Sequence, residues 1–425
     1  MRKIAAIATL TVRSAIRSRV LAAAAAAIIT VIITLPFMIK GDGMPGSKLS
    51  IFINYSFGLL MFVTSLTATW CGAGAISLEV GTRQIQLLVT KPLKSVQIWA
   101  GKLIGLMMIN LFLLVLGGAL MYAMIHWTLG TVETGKSDQR DLGRDIMTVY
   151  RTVSPLKTPG ASSRQAAVGP GQVYRWQFDL TRQTADTQFA LLKFRFIPSP
   201  FSYQSPVAGI WHASTKKQTD LLNKKHMISP NMTVYLNIPG IERTSILNLE
   251  YLNTQTNPAV TVFLPSDNGL SLLIPESSFE TNLLRGLMIV FARLVFFTSL
   301  GMITGTLFTF PVAVFASLGL LITAYSGGFV RQLAERGLWI FVSDDKFSNI
   351  TLIFNEIVRV LFRFFVFILS PLERFNPLDF LPDSLYIPWS LVGQSFAVLF
   401  FLYPLILLLI GTACLSQRET GISSE

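Results

Sequence analysis

Charge is what this chain has least of. Only 14% of its 425 residues are Asp, Glu, Lys or Arg, against about 25% in a soluble domain. Acids are scarcer than bases, 23 against 35, and histidine occurs three times. The two cysteines, Cys71 and Cys414, both lie in apolar runs, so neither a disulfide framework nor a thiol site is expected. His126, His212 and His226 stand apart, without metal-ligand spacing. No G-x-S-x-G elbow occurs. The nearest approach to a phosphate loop, residues 41–48 (GDGMPGSK), reads Gly-Ser-Lys where Gly-Lys-Ser/Thr is needed, and no strand precedes it. These gaps point away from an enzyme, a bound metal and a cofactor.

Apolar residues fill the space that charge leaves. They make up 51% of the chain, and the mean hydropathy is +0.54. A soluble fold cannot bury so much apolar surface, whereas lipid accepts it directly. The net charge of +12 forms no single cluster, so nucleic acid is not an expected partner. Much of the excess flanks the apolar runs, where a cytoplasmic Lys/Arg bias is the ordinary cause. The reading is an α-helical integral membrane protein in contact with membrane lipid.

A window of about 20 apolar residues places six transmembrane helices. The first runs from about Val20 to Ile39, the second from Ile51 to Leu78, and the third from Lys102 to Trp127. The fourth begins near Leu284. Gly301 to Gly305, with Pro311 after them, reads as a tight turn into a fifth that ends near Tyr325, and the sixth runs from Ser390 to about Leu415. An even count puts both termini on one side. Arg2, Lys3, Arg13, Arg17 and Arg19 make that side the cytoplasm. The basic start is too long for a signal peptide. Ile4, Ile7, Ala8, Val12 and Ile16 recur at helical spacing with Arg13 and Arg17 on another face, which predicts an interfacial N-terminal helix. A plain basic flank that fixes orientation is the simpler alternative.

Three parts follow: 1–128 with the interfacial helix and first three spans, 129–281, and 282–425 with the last three spans. In the middle part, residues 173–180, 191–197, 232–238, 244–252 and 260–264 alternate or are rich in β-formers, with turn residues between them. They predict an inserted β-sandwich-like domain, and its place after the third span of an N-in chain makes it extracytoplasmic. Lys136 to Gly171 reads as an irregular lead-in.

In the last part, Phe354 to Leu369 is apolar but carries Arg359 and Arg363. A seventh span would place both cations in lipid at a cost of several kcal/mol. The favoured reading is an interfacial or re-entrant helix on the outer face, at about 350–370. Asp344, Asp345 and Lys346 read as a solvated loop. Arg285 is expected to snorkel to the interface, and Arg293 either lines a translocation path or pairs within a subunit interface.

The segment Glu79 to Lys102 lies between two apolar runs and holds Arg83, Lys91, Lys94 and Lys102 against a single acid, Glu79. Its charge places it in the cytoplasm. Read in order, Glu79, Gly81, Thr82, Leu87, Leu88, Pro92, Gly101 and Lys102 resemble the loop after the second span in permease subunits of ABC-2 type exporters. TGTLFTFPVAVF, SPLERFNPLDF and LSQRETG match that family less specifically. The likeness covers residues 1–128 and 282–421 and is nearest to the multicopper-enzyme-maturation and gliding-type branch. The inserted domain departs from it, and copper is not carried over because no Met/His/Cys cluster accompanies it.

The resemblance implies a permease without its own nucleotide site. ATP hydrolysis falls to a separate ABC ATPase subunit, and the permease pairs as a homodimer or with a second permease in a bacterial plasma membrane. Glu79, Gly81, Thr82, Arg83, Leu87, Leu88, Lys91, Pro92, Lys94, Gly101 and Lys102 would couple to that ATPase. Pro92 and buried Leu87, Leu88 and Trp99 would hold the element, and Glu79 would hydrogen-bond or pair with a basic group nearby and orient it. The alternative is a membrane-anchored scaffold whose β-domain recruits a partner. A membrane enzyme acting on lipid or glycan ranks last, because the sequence holds no acid–base or nucleophile constellation.

Overall fold

The structure, a computed structural model, describes residues 2–39, 45–81, 94–132, 147–156, 165–180, 189–200, 205–215, 221–230, 232–240, 246–256, 259–265, 269–327 and 349–421. The chain forms two compact units. One comprises Met1–Gly143, Leu283–Asp383 and Ile387–Glu425, and the other Arg144–Asn282 with Ser384–Tyr386.

The first unit is helical. Its elements are α1 (Arg2–Arg17), α2 (Arg19–Met38), α3 (Pro45–Gly81), α4 (Ser95–Val132), α5 (Phe279–Leu307, in this unit from Leu283), α6 (Phe310–Tyr325) and α7 (Asn349–Arg374). After a 3-10 turn at Pro377–Asp379, α8 (Trp389–Ser395), a π-helical stretch (Phe396–Leu402) and α9 (Tyr403–Gly421) follow in succession. Among the described residues five stretches are long and apolar enough to cross a membrane: Arg19–Met38, Lys48–Glu79, Ser95–Leu129, Phe279–Leu307 and Trp389–Leu415. The chain is therefore built as a multi-pass membrane protein. The fifth of the six expected spans forms as α6, but with 16 residues it reaches only about 24 Å, short of the roughly 30 Å hydrocarbon core. α7 is one helix where the outer helix was expected, and it is not among the five.

Burial ranks these helices. In the apolar window of α5 83% of residues are buried, against 22% for α2 and for the final span, so α5 is the central helix. Here one sequence expectation is corrected. Gly301 and Gly305 are not a turn; they lie inside α5, and the break falls after Leu307. Spaced four apart, they let α5 touch the backbone of α3. A Cβ on Gly301 would stand 2.4 Å from Thr69 O, and one on Gly305 2.3 Å from Ala73 O. Gly72 answers from α3, 2.5 Å from Thr298 O by the same construction. Where lipid competes with every apolar side chain, small residues gain association by close backbone approach. Asn110 adds a directional contact, donating Nδ2 to Thr298 Oγ1 at 2.8 Å between α4 and α5.

α1 is helical as its periodicity predicts, and it ends at Ser18, whose Oγ accepts from Val20 N at 3.2 Å to cap α2. Its apolar edge packs on protein. Ile7 and Ala8 are buried against Gly101 and Gly105 of α4, where a Cβ would meet Ile7 Cβ and Ala8 O, each at 2.8 Å. Ile16, expected on that edge, is 65% exposed.

The second unit is antiparallel β-structure. One sheet runs β1 (Thr148–Val153), β11 (Leu270–Ser278), β4 (Phe189–Phe194), β8 (Val234–Pro239), and another β3 (Val173–Asp179), β9 (Ile246–Asn253), β6 (Val207–Ser214), β7 (Leu222–Ile228). A short third sheet joins β2 (Gln165–Val168), β10 (Thr261–Pro265) and β5 (Ile197–Ser199). Alternate residues of both larger sheets enter one core, the pattern expected where one face is buried and the other wet. Trp211 lies at its centre, 4.7 Å from the Phe194 and Tyr251 rings. Burial raises the Tyr251 phenol to a pKa of about 12. Asn253, fully buried, donates Nδ2 to Val168 O at 3.0 Å and Val260 O at 2.8 Å and accepts from Gln255 N. The expected lead-in is more ordered than its composition implies, since β1 and β2 fall within it. Residues 384–386 also join this unit. Leu385 pairs in parallel with Tyr150, with Tyr150 N to Ser384 O at 2.8 Å and Tyr386 N to Tyr150 O at 2.9 Å.

Gly301→Val is expected to lower the stability of the membrane unit by about 2 kcal/mol or more, because the new Cβ meets backbone that cannot yield. Gly319→Ala, which meets nothing within 4 Å inside α6, should not lower it, since alanine favours the helix. Thermal unfolding of the two detergent-solubilised variants makes the comparison, and equal midpoints would refute the α3–α5 packing role.

Candidate functional site

The segment singled out by sequence is bounded by the end of α3 and the start of α4. Thr82, Arg83, Leu87, Leu88, Lys91 and Pro92 lie outside the described residues. Glu79, Gly81, Lys94, Gly101 and Lys102 are described, and they define how the segment is held at its two ends.

α3 closes on Gly81, with Glu79 on its last turn. α4 opens after Lys94, which is exposed. Gln97 sits three residues into the cap, and its Oε1 accepts from Lys94 N at 3.4 Å. This is the return half of a capping box, supplied by a residue that the family resemblance did not mark. Two turns into α4, Lys102 is 2% exposed. Its Nζ pairs with Glu79 Oε2 and also donates to Ala75 O. Ala75 and Glu79 are one turn apart on α3, so a single ammonium meets a carboxylate and a carbonyl on one helix face. The expected pairing of Glu79 with a nearby base is thus present, and the base is Lys102.

Trp99 is fully buried, as expected. It belongs to a cluster with Ile76, Leu103, Leu106, Ile109, Met302 and Leu415, so α3, α4, α5 and α9 meet there. A Cβ on Gly411 would stand 2.7 Å from Trp99 Nε1, which makes glycine necessary on α9 at that point. The indole N–H itself has no hydrogen-bond partner among the described residues. Gly101, marked by the resemblance for coupling, serves here as the seat for α1.

Arg293, 4% exposed, donates Nη1 to Leu372 O at 2.7 Å and Phe375 O at 3.2 Å. These carbonyls belong to the end of α7, where a cation is favoured by the helix dipole and the unpaired C=O groups. Asp379 is near enough to feel that cation. Burial raises the Asp379 pKa, while the Asn376 Nδ2 bond to its Oδ1 at 3.0 Å and the Arg293 charge oppose the rise. Tyr325, on α6, donates to Ser65 Oγ at 3.1 Å. Arg293 therefore directs Nη1 to carbonyls of this chain, while its buried Nε has no hydrogen-bond partner among the described residues. Arg285, expected to snorkel, makes contacts within the chain. It is 7% exposed, sends Nη1 to Ile387 O at 3.4 Å and stacks 5.0 Å over Trp389.

Asp344, Asp345 and Lys346, and the glycine loop from Gly41 to Met44, lie outside the described residues. Among the described residues no group of three or more His, Cys, Asp or Glu side chains is placed to hold a metal ion. His226 titrates below its usual range because burial and then the Lys224 charge disfavour the imidazolium. The features that sequence reading passed over are the Gly101–Gly105 seat, Gln97, Asn110 and Tyr325. The first carried a legible signal, a pair of glycines four apart in an apolar helix; the others depend on which helix lies opposite. No model of a protein family matches this chain, and neither does any curated protein.

Removing Glu79 strands the buried Lys102, whereas Glu79, half-buried, can still meet solvent when Lys102 is removed. Glu79→Gln is expected to destabilise the unit by about 3 kcal/mol and Lys102→Met by less. The double variant should recover part of that loss. Thermal unfolding of the four proteins tests the coupling, and strictly additive losses would exclude it.

Proposed function

We propose that the chain is the membrane subunit of an ATP-driven ABC-2 type exporter, and that the segment from Glu79 to Lys102 receives the push of a separate ATPase subunit. In this reading both termini and the segment face the cytoplasm of a bacterial cell, and the β-unit is extracytoplasmic. The subunit works as a homodimer or beside a second permease. The observation that carries the proposal is the Glu79–Lys102 pair with its Ala75 contact. A motor that closes on ATP transmits force only through a stiff element. Here the ends of the segment are clamped to each other by charge, and the second end is buried through Trp99 among four helices.

The pair also accounts for the residue types. A Lys at this depth in an apolar helix is costly unless a carboxylate and further hydrogen bonds meet it, and Glu79 and Ala75 O supply both. The exposed Lys94, with Arg83 and Lys91, then offers positive charge to an acidic partner surface or to lipid phosphates. Arg293 holds the end of α7 and is assigned to architecture in preference to a translocation path.

Purification from the native membrane should bring down a subunit with a Walker A sequence. Lys91→Glu combined with Lys94→Glu should leave the membrane unit folded yet uncouple ATP hydrolysis from transport in the reconstituted complex. Purification with no ATP-binding subunit would favour the scaffold reading, and unchanged ATPase and transport in the double variant would remove the coupling role.

A further inference from the structure

The outer face of α1 is a basic surface of the described membrane unit. α1 contains no acidic residue. With successive residues about 100° apart, Arg2, Arg13 and Arg17 fall within roughly 60° of one another. They lie opposite the edge that carries Ile7 and Ala8 onto α4. All three are exposed, and none pairs with an acid among the described residues. Two apolar side chains border this stripe, Ile16 on one side and Leu10 on the other, 65% and 67% exposed.

The position of α1 identifies what meets that face. α2 begins at Arg19 directly after the Ser18 cap. It has 20 residues, so at 1.5 Å per residue it matches the roughly 30 Å hydrocarbon core with nothing to spare. Its first residue must then lie at the level of the lipid headgroups, and α1, joined to it through one residue, lies there too. A stripe of cations edged by apolar side chains at that level suits phosphates above and acyl chains below. An acidic protein surface would be matched by the charges but not by Leu10 and Ile16.

We infer that the Arg2–Arg13–Arg17 face of α1 is a binding surface for anionic phospholipid headgroups. Through the Gly101–Gly105 seat, the lipid would hold α1 against α4. This inference does not depend on the exporter reading, since it needs only a membrane with acidic lipid.

The test uses the full-length protein in neutral detergent, with its thermal unfolding midpoint followed against added phosphatidylglycerol or phosphatidylcholine. Phosphatidylglycerol should stabilise the protein at lower concentration than phosphatidylcholine, and 0.5 M salt should abolish the difference. With each cation near an acidic surface contributing about a 5-fold gain in affinity, Arg13→Gln with Arg17→Gln should raise the half-maximal phosphatidylglycerol concentration about 25-fold. Arg2→Gln, at the helix end, should raise it about 5-fold and serves if the double variant does not fold. Arg13→Lys with Arg17→Lys should keep the preference. Equal stabilisation by the two lipids, or identical titrations for wild type and variants, would overturn the inference. So would an unchanged lipid titration accompanied by loss of a co-purifying protein subunit, which would assign the face to a protein.

Discussion

A cation inside a helix apolar enough to cross a membrane must find its partners within the protein, and this constraint organises the helical unit. Lys102, Arg285 and Arg293 are all at least nine-tenths buried. Each is met by backbone carbonyls of a different element: Ala75 on α3, Ile387 before α8, and Leu372 and Phe375 at the end of α7. Lys102 also has a carboxylate in direct contact. Carbonyls near a helix end are the acceptors available without a second buried charge. Two of the three cations thus tie the helix that bears them to the segments between α7 and the last span, and the third ties α4 to α3. Their cost in a low-dielectric setting is offset by specificity of helix pairing, which apolar contacts alone supply poorly where lipid is an equal competitor.

The glycines answer the same problem by the opposite means. Gly72 with Gly301 and Gly305 bring backbones so close that no side chain fits between, and Gly101 with Gly105 leave a notch for Ile7 and Thr11 and the Ala8 carbonyl of α1. One set joins α3 to the central α5, and the other seats α1 on α4. Short helix-to-helix polar bonds, Asn110 to Thr298 and Tyr325 to Ser65, then fix register along these close approaches. Most of the other buried hydroxyls in these helices, such as Thr64, Thr69 and Thr306, return their protons to their own helix one turn back. They fill space without choosing a partner.

This division explains what the sequence disclosed. Apolar run length marked the long helices, and period-two alternation marked β3, β4, β8, β9 and β10, because both patterns are local. β6, β7 and β11 were passed over, although β6 buries alternate residues along its whole length. Its inward positions include Gly209 and Ala213, small residues that weaken an alternation read by hydrophobicity. Gly209 is small because the Tyr251 ring occupies the place where its Cβ would be, a reason that lies on another strand. Gly301 and Gly305 were misread for a related cause. Glycine near a proline is turn chemistry in water, yet in apolar surroundings the same spacing is a packing surface. The charge on Glu79 pointed to a nearby base, but that Lys102 meets it follows only once α3 and α4 lie side by side. Arg293 shows the limit: its rarity was legible, while the α7 carbonyls that neutralise it are about 80 residues away in sequence.

The opening turns of α4 gather these devices into one place. Trp99, Gly101 and Lys102 are nearly consecutive, and at about 100° per residue they point in three directions. Trp99 meets Gly411 of α9, Gly101 receives Ile7 of α1, and Lys102 holds Glu79 of α3. Each contact is of a different kind, a buried ring on a glycine, a helix in a glycine notch, and an ion pair. A displacement of the α4 start cannot be absorbed at one of them without straining the other two, because a ring against backbone and a filled notch have no slack. The start of α4 is therefore joined to three helices through a single turn, and this anchoring follows from the packing of four side chains.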